Sequence, residues 1–152
     1  MRAVLSTGSN MEDSRAHLRS VVEEFSGELV AASDLYTTAP WGGVEQDDFL
    51  NQVLIVDVDE SPGELLRRCQ GLEQAARRVR AKRWGPRTLD VDIVDIEGVE
   101  CDSGELTVPH PRAHLRAFVL VPWLEVDPGA RLGGVSVREI AAGLGDQGVR
   151  RL

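Results

Sequence analysis

Residues 77–92 read RRVRAKRWGPRTLDVD. Six basic side chains, Arg77, Arg78, Arg80, Lys82, Arg83 and Arg87, come before any acid, and then Asp90 and Asp92 follow two positions apart. Gly85-Pro86 marks a turn between the two halves rather than a continuing helix. The stretch therefore ends a helix and begins a strand, and reading outward from both gives the fold. Leu89, Val91 and Ile93 fall on one face of that strand and Asp90 and Asp92 on the other, with same-face neighbours ~6.6 Å apart. Two carboxylates on one face of an apolar strand repel each other and are costly to bury, and a cation between them removes both problems. Guanidinium groups in the first half suit phosphate, which they bind through a planar fork of donors. The bland alternatives are a solvated basic helix end beside its negative C-terminal dipole and a solvent-exposed edge strand.

Backward from the junction, Leu65, Leu66, Cys69, Leu72, Ala76 and Val79 form the buried stripe of one helix. Ser61-Pro62-Gly63-Glu64 opens it as a capping box with proline at the first helical position. Val53, Leu54, Ile55 and Val56 make Phe49–Val58 a strand buried on both faces. Residues 37–47 read as a loop and Leu29–Tyr36 as a weaker strand. Leu18, Val21, Val22 and Phe25, with Met11, form a helical stripe capped by Ser9 or Asn10. Ala3–Thr7 is a short first strand. Forward from the junction, Leu89–Ile96 is the fourth strong strand and residues 97–108 a small hairpin turning at Asp102-Ser103-Gly104. Pro109-His110-Pro111-Arg112 opens a short helix, and Ser136–Ala142 is a last one. The order β-α-β-β-α-β predicts a ferredoxin-like α+β sandwich, with one antiparallel sheet, two helices on one face, a small hairpin and a C-terminal extension.

The chain has 152 residues, 42% hydrophobic and 28% charged, which suits a single globular domain over 1–152. A formal net charge of −8 argues against general nucleic-acid binding. Cys69 and Cys101 fit no metal spacing or disulfide framework. With no signal-peptide pattern at the N-terminus and no apolar run of membrane-spanning length, a reducing cytoplasm is the expected location. Gly143-Leu144-Gly145-Asp146-Gln147-Gly148 matches G-x-G-x-x-G, but no strand precedes it and no helix has room to follow, so it reads as a chance match. No P-loop and no serine or cysteine nucleophile motif is present.

Four blocks carry a resemblance: Gly8-Ser9-Asn10; Tyr36-x-Thr38-x-Pro40-x-Gly42 with Gln46, Phe49 and Asn51; Glu73 with Arg78-x-Arg80-x-x-Arg83-Trp84-Gly85-Pro86-Arg87-x-Leu89-Asp90-x-Asp92; and Pro109-His110-Pro111-Arg112 with Arg116-x-Phe118. Together they resemble the 6-hydroxymethyl-7,8-dihydropterin pyrophosphokinases of folate biosynthesis, over nearly the whole chain to about Pro128. The resemblance implies transfer of the ATP diphosphate to the pterin hydroxymethyl group, with two Mg2+ ions held by Asp90 and Asp92. It implies phosphate contacts from Arg78, Arg80, Arg83 and Arg87, with Arg78 and Arg87 acting on transition-state charge. Gln70, Glu73, Trp84, His110 and Arg116 are then expected on the nucleotide side. Thr38, Pro40, Trp41, Gly42, Phe49, Asn51 and Phe118 are expected around the pterin. The implied partners are these two substrates, with no nucleic acid and no membrane, and a monomer is expected.

The residue chemistry points the same way independently. Phe49 and Asn51 share one strand face, and an aromatic ring beside a carboxamide suits a flat, hydrogen-bonding heterocycle. Plain core packing is the alternative for Phe49 and Phe118. The sequence departs from the family pattern at Arg77, where glycine is usual, and at the bulky Trp41 and Trp123, and the tail after Pro128 carries no readable signal. Two other classes stay open: a magnesium-dependent nucleotidyltransferase and a non-catalytic ferredoxin-like ligand-binding domain. The first places its G-S and D-x-D elements close together, whereas about eighty residues separate them here. The second needs neither metal carboxylates nor an arginine cluster.

Overall fold

The computed structural model describes residues 1–10, 13–39, 48–78 and 89–152, with the backbone alone at Arg78. In chain order the strands are β1 (Arg2–Ser9), β2 (Leu29–Ala32), β3 (Tyr36–Thr38), β4 (Phe49–Asp57), β5 (Asp90–Ile96), β6 (Cys101–Asp102), β7 (Thr107–Val108), β8 (Arg131–Leu132), β9 (Val135–Ser136) and β10 (Arg150–Arg151). Four α-helices stand among the described residues: α1 (Ser14–Glu24), α2 (Pro62–Arg78), α3 (Ala117–Val126) and α4 (Val137–Leu144). The main sheet runs β10-β3-β4-β1-β5, with β2 also on β4, and every pairing is antiparallel. Two hairpins, β6-β7 and β8-β9, stand apart from it.

Alternation along the central strands sorts the core into two layers. Ala3, Leu5, Leu54, Val56, Val91 and Ile93 pack beneath α1 and α2 with Leu18, Val21, Phe25, Leu65 and Cys69. Val4, Val53, Ile55 and Val94 pack on the opposite face against Val119, Leu120 and Trp123 of α3 and Val137 of α4. The sheet is thus covered on both faces. The expectation of helices on one face holds for α1 and α2, while the C-terminal extension covers the other. Leu5 lies opposite Leu54 in the β1-β4 register and both are fully buried. Truncating either to alanine costs ~2–5 kcal/mol.

Local chemistry accounts for most element ends. The Ser61 hydroxyl accepts the Glu64 N–H and the Glu64 carboxylate accepts the Ser61 N–H, both at 3.2 Å, which is the reciprocal capping box at the start of α2. Two ends differ from expectation. α1 begins at Ser14, so the N-cap position falls on Asp13, which makes no side-chain cap bond, and not on Ser9 or Asn10 as the sequence suggests. The expected strand Leu29–Tyr36 divides in two, because the Ser33 hydroxyl accepts the Val53 N–H and takes the place of a backbone ladder bond between β2 and β3.

Candidate active site

The register of three strands builds the site. Gly8 on β1 pairs with Asn51 on β4 and with Asp90 on β5, so Asp90, Gly8 and Asn51 form one cross-strand row. Ser6 pairs with Asp92 one row further along the same face. The backbones of Asp90 and Asn51 are therefore about 9–10 Å apart, two strand spacings, with a glycine between them. Gly8 leaves a trough there, and a Cβ at that position would stand 3.2 Å from Asn51 Oδ1. The trough opens into a cavity of about 240 Å³ lined by Ser6, Thr7, Gly8, Thr38, Ala39, Phe49, Asn51, Asp90, Asp92, Arg116 and Phe118. That is below the ~300–1,000 Å³ of clefts that hold drug-sized ligands, so it suits one small ring system.

The two ends of the trough differ in chemistry. At the β4 end Asn51 is buried, and its Nδ2 donates to Thr38 Oγ1 at 2.9 Å. That bond fixes the carboxamide plane, and Phe49 and Phe118 line the same cavity. At the β5 end stand Asp90 and Asp92, with Arg116 Nη1 4.0 Å from Asp92 Oδ2. The Arg116 guanidinium also lies over the Phe118 ring, 5.6 Å from its centroid. Arg116 thus joins the anionic end to the aromatic end.

Glu73 on α2 reaches the outer edge of β5, where its Oε2 accepts the Val91 N–H at 3.0 Å. This bond holds the backbone between the two aspartates. Burial pushes the Glu73 carboxyl above its usual range, the Val91 N–H opposes this, and Asp90 and Asp92 add to the rise. His110 is half-buried, and burial holds its imidazole below the usual histidine range against the pull of Asp92. Its Nδ1 accepts the Arg112 N–H at 3.1 Å, so the neutral ring carries its proton on Nε2. Burial pushes the Cys69 thiol up to about 12, which removes it as a nucleophile at neutral pH.

Seven residues named from sequence therefore share one cavity: Thr38, Phe49, Asn51, Asp90, Asp92, Arg116 and Phe118. Glu73 stands behind β5 and His110 beside it, Gln70 is exposed on α2, and none of the three lines the cavity. Pro40, Trp41, Gly42, Arg80, Arg83, Trp84, Arg87 and the Arg78 side chain lie outside the described residues. Sequence reasoning missed Ser6, Thr7 and Ala39 as cavity walls. It had Gly8 inside a motif without seeing that the missing side chain is what matters.

In a six-stranded antiparallel sheet, β5 brings paired carboxylates, β4 a buried carboxamide and the start of α3 an arginine to one trough, which has the make-up of a small-molecule site with a polar and an anionic end. The family model for 7,8-dihydro-6-hydroxymethylpterin-pyrophosphokinase (HPPK) matches residues 4–128, and the chain belongs to this family. The 2-amino-4-hydroxy-6-hydroxymethyldihydropteridine pyrophosphokinase of Mycobacterium bovis is 52% identical, over 86% of this chain and 75% of that one. The protein of the same name from Methylorubrum extorquens is 41% identical, over 99% and 98%. A crystal structure of Plasmodium falciparum HPPK-DHPS superposes with a TM-score of 0.72 at 13% identity, which shows the fold. That match covers 93% of this chain and 45% of the longer Plasmodium chain.

Proposed function

We propose that this chain transfers the diphosphate of ATP, as one unit, to the hydroxymethyl oxygen of 6-hydroxymethyl-7,8-dihydropterin in folate biosynthesis. The observation that carries the proposal is the row Asp90, Gly8, Asn51, because it aligns an anionic end and a heterocycle-binding end across one empty glycine position. The pterin ring stacks between Phe49 and Phe118 and exchanges hydrogen bonds with the Asn51 carboxamide, whose plane Thr38 holds. Its hydroxymethyl group then points along the trough toward the aspartates. The hydroxyl oxygen attacks the β-phosphorus, the bond from that phosphorus to the α,β-bridging oxygen breaks, AMP leaves, and the hydroxyl proton passes to water.

Such a transfer needs positioning and charge stabilisation more than a protein nucleophile. Asp90 and Asp92 would hold the magnesium, since a pair of carboxylates completed by phosphate oxygens and water is the donor set that ion takes. When bound it neutralises charge on the phosphates. Arg116 donates to the diphosphate from the opposite wall. Arg78, Arg80, Arg83 and Arg87 contact the phosphates, with Arg78 and Arg87 on the developing charge. Gln70, Glu73, Trp84 and His110 belong to the nucleotide side, and Pro40, Trp41 and Gly42 close over the pterin.

The strand order β5-β1-β4-β2 supports the ferredoxin-like reading, with residues 1–152 as one pyrophosphokinase domain. Among the described residues no helix is long and apolar enough to cross a membrane. The proposed protein is a cytoplasmic monomer that binds no nucleic acid, a reading that rests on the net charge of −8 for the last point. The test is incubation with ATP, a magnesium salt and the pterin alcohol, followed by identification of products. AMP with the pterin diphosphate is the expected outcome. Free pyrophosphate supports nucleotidyl transfer instead, and absence of turnover supports a binding domain.

A further inference from the structure

The G-x-G-x-x-G match at residues 143–148 spans the end of α4 and the coil that leads to β10. It folds back onto the start of α3 and the wall of the pocket. Gly145 and Gly148 have φ of +69 and +79, which lets the chain turn twice within four residues. Between them, Asp146 Oδ1 accepts the Gly148 N–H at 2.7 Å and the Asp146 carboxylate pairs with Arg150. The turn aims the Gln147 carboxamide inward. Its Oε1 accepts the Ala117 N–H at 2.9 Å and its Nε2 donates to the Leu115 carbonyl at 3.2 Å.

Leu115 and Ala117 flank Arg116. Arg116 is the N-cap residue of α3, has extended backbone, and gives the helix no side-chain cap bond. Gln147 thus caps α3 from elsewhere in the chain, and its two bonds fix the peptide units on either side of Arg116. The direction in which the Arg116 side chain leaves the backbone is set by those two units. Beyond Gln147, β10 pairs with β3, the Leu152 N–H donates to the Leu35 carbonyl at 2.9 Å, and Arg151 pairs with Asp34 and Glu125. The strap from 145 to 152 therefore ties the Arg116-Phe118 wall of the cavity to the strand that carries Thr38.

We propose that Gln147 is a positioning residue for diphosphate transfer, holding the Arg116 guanidinium beside Asp92 through the Leu115 carbonyl and the Ala117 amide. The inference rests on the function proposed above. A tie that merely stabilises the fold contributes to folding alone. A positioning residue contributes to the reaction, and only while Arg116 is present.

The experiment is a double-mutant cycle on the full chain. Gln147→Met keeps length and bulk but loses both hydrogen bonds, and it is compared with Arg116→Ala and the double variant by AMP release at saturating ATP, magnesium and pterin. Gln147→Met is expected to lower kcat about tenfold, the scale of a misplaced catalytic group, with KM for the pterin changing less than about twofold. In the Arg116→Ala background it is expected to change kcat no further. Gln147→Glu keeps the acceptor for the Ala117 N–H and is expected to recover most of kcat. If Gln147→Met does not fold, Gln147→Asn, one methylene too short to reach both groups, takes its place in the cycle. An equal loss of kcat with and without Arg116, or a lower melting temperature with unchanged kcat, overturns the proposal. Wild type that releases no AMP overturns the proposed function itself, which is a different result.

Discussion

Two clusters of charge on opposite faces of the sheet are built from the same residue types and do opposite things. On the helical face Arg68 of α2 lies over the Phe25 ring at 4.2 Å and bonds directly to Glu24, Glu28 and Glu60. Glu28 holds the guanidinium protonated most strongly, and Arg68 in turn draws the Glu28 carboxyl below its usual range. On the trough face stand Asp90 and Asp92, with Glu73 reaching the edge of the same strand from α2, and Arg116 approaches only to 4.0 Å from Asp92. The first cluster has satisfied its charges within the protein. The second sets carboxylates on one strand with a guanidinium 4.0 Å from Asp92, an arrangement that suits the cation and anion of the proposed function. Direct contact distances, more than the count of charges, separate the two clusters.

The largest effect expected is on the trough face. Asp90→Ala and Asp92→Ala are each predicted to lower kcat by ~10³-fold or more, since on the proposed function each removes a carboxylate that would hold the metal and so neutralise phosphate charge. The melting temperature holds or rises slightly, because one of two repelling carboxylates is gone. AMP release and thermal unfolding on the same preparations check both halves, and near-normal turnover at ordinary magnesium removes the metal assignment. Arg68→Ala is the mirror experiment. It leaves Glu28 and Glu60 without their bonds and Phe25 without its cation, at an expected cost of ~1–2 kcal/mol. For a chain of this size that is a fall of about 2–8 °C in Tm, with kcat unchanged. A loss of turnover without loss of stability would erase the contrast between the clusters.

Gly8→Ala sharpens the same contrast at smaller scale. The added methyl meets Asn51 Oδ1 at 3.2 Å, closer than the carboxamide tolerates without shifting. The Thr38 bond opposes that shift. KM for the pterin is predicted to rise about tenfold with a lesser change in KM for ATP, the size of one misdirected hydrogen-bonding group. Equal effects on both substrates would mean that the trough, rather than the carboxamide, is what Gly8 protects.

Much of this was legible before any coordinates. The two helices under the sheet, the strongly apolar strands and the D-x-D strand each announce themselves through local periodicity and capping. Five of the seven named residues that share the cavity, Thr38, Phe49, Asn51, Asp90 and Asp92, lie on strands whose register follows from the same alternation, and Arg116 and Phe118 join them from the start of α3. What was not legible depends on pairings distant in sequence. The Arg68 cluster draws its carboxylates from the end of α1, the turn after it and the turn before α2, so no local window contains it. The tail looked empty because β10 has two residues and takes its meaning from β3, more than a hundred positions earlier. Gly8 was read as part of a motif, and only its neighbour Asn51 in register explains why a side chain there is crowded.

Glu73 gives the last and smallest prediction, because it stands between the two cases. Its carboxylate is bonded to the Val91 N–H, as the Arg68 cluster's are bonded within the protein, yet it stands beside the two aspartates proposed to hold the metal. Burial first, and Asp90 and Asp92 after it, raise its folded pKa above the ordinary carboxylate value of 4.5, against the lowering effect of the Val91 bond. A raised folded pKa means that folding favours the protonated form. The group's stabilising contribution is therefore full below pH 4.5 and is lost as pH climbs through the raised value. At neutral pH the ionised Glu73 is a mild liability to the apo fold. Gln at this position keeps an oxygen to accept the Val91 N–H and carries no charge. Glu73→Gln is thus predicted to melt no more than about 2 °C higher than wild type at pH 7, and the gap should close as pH falls through the window just above 4.5. Magnesium with a non-hydrolysable ATP analogue should narrow the gap as well, since a cation at the aspartates offsets the repulsion that raises the Glu73 pKa. A gap that stays constant from pH 7 to below 4.5 would place its origin in packing and not in charge.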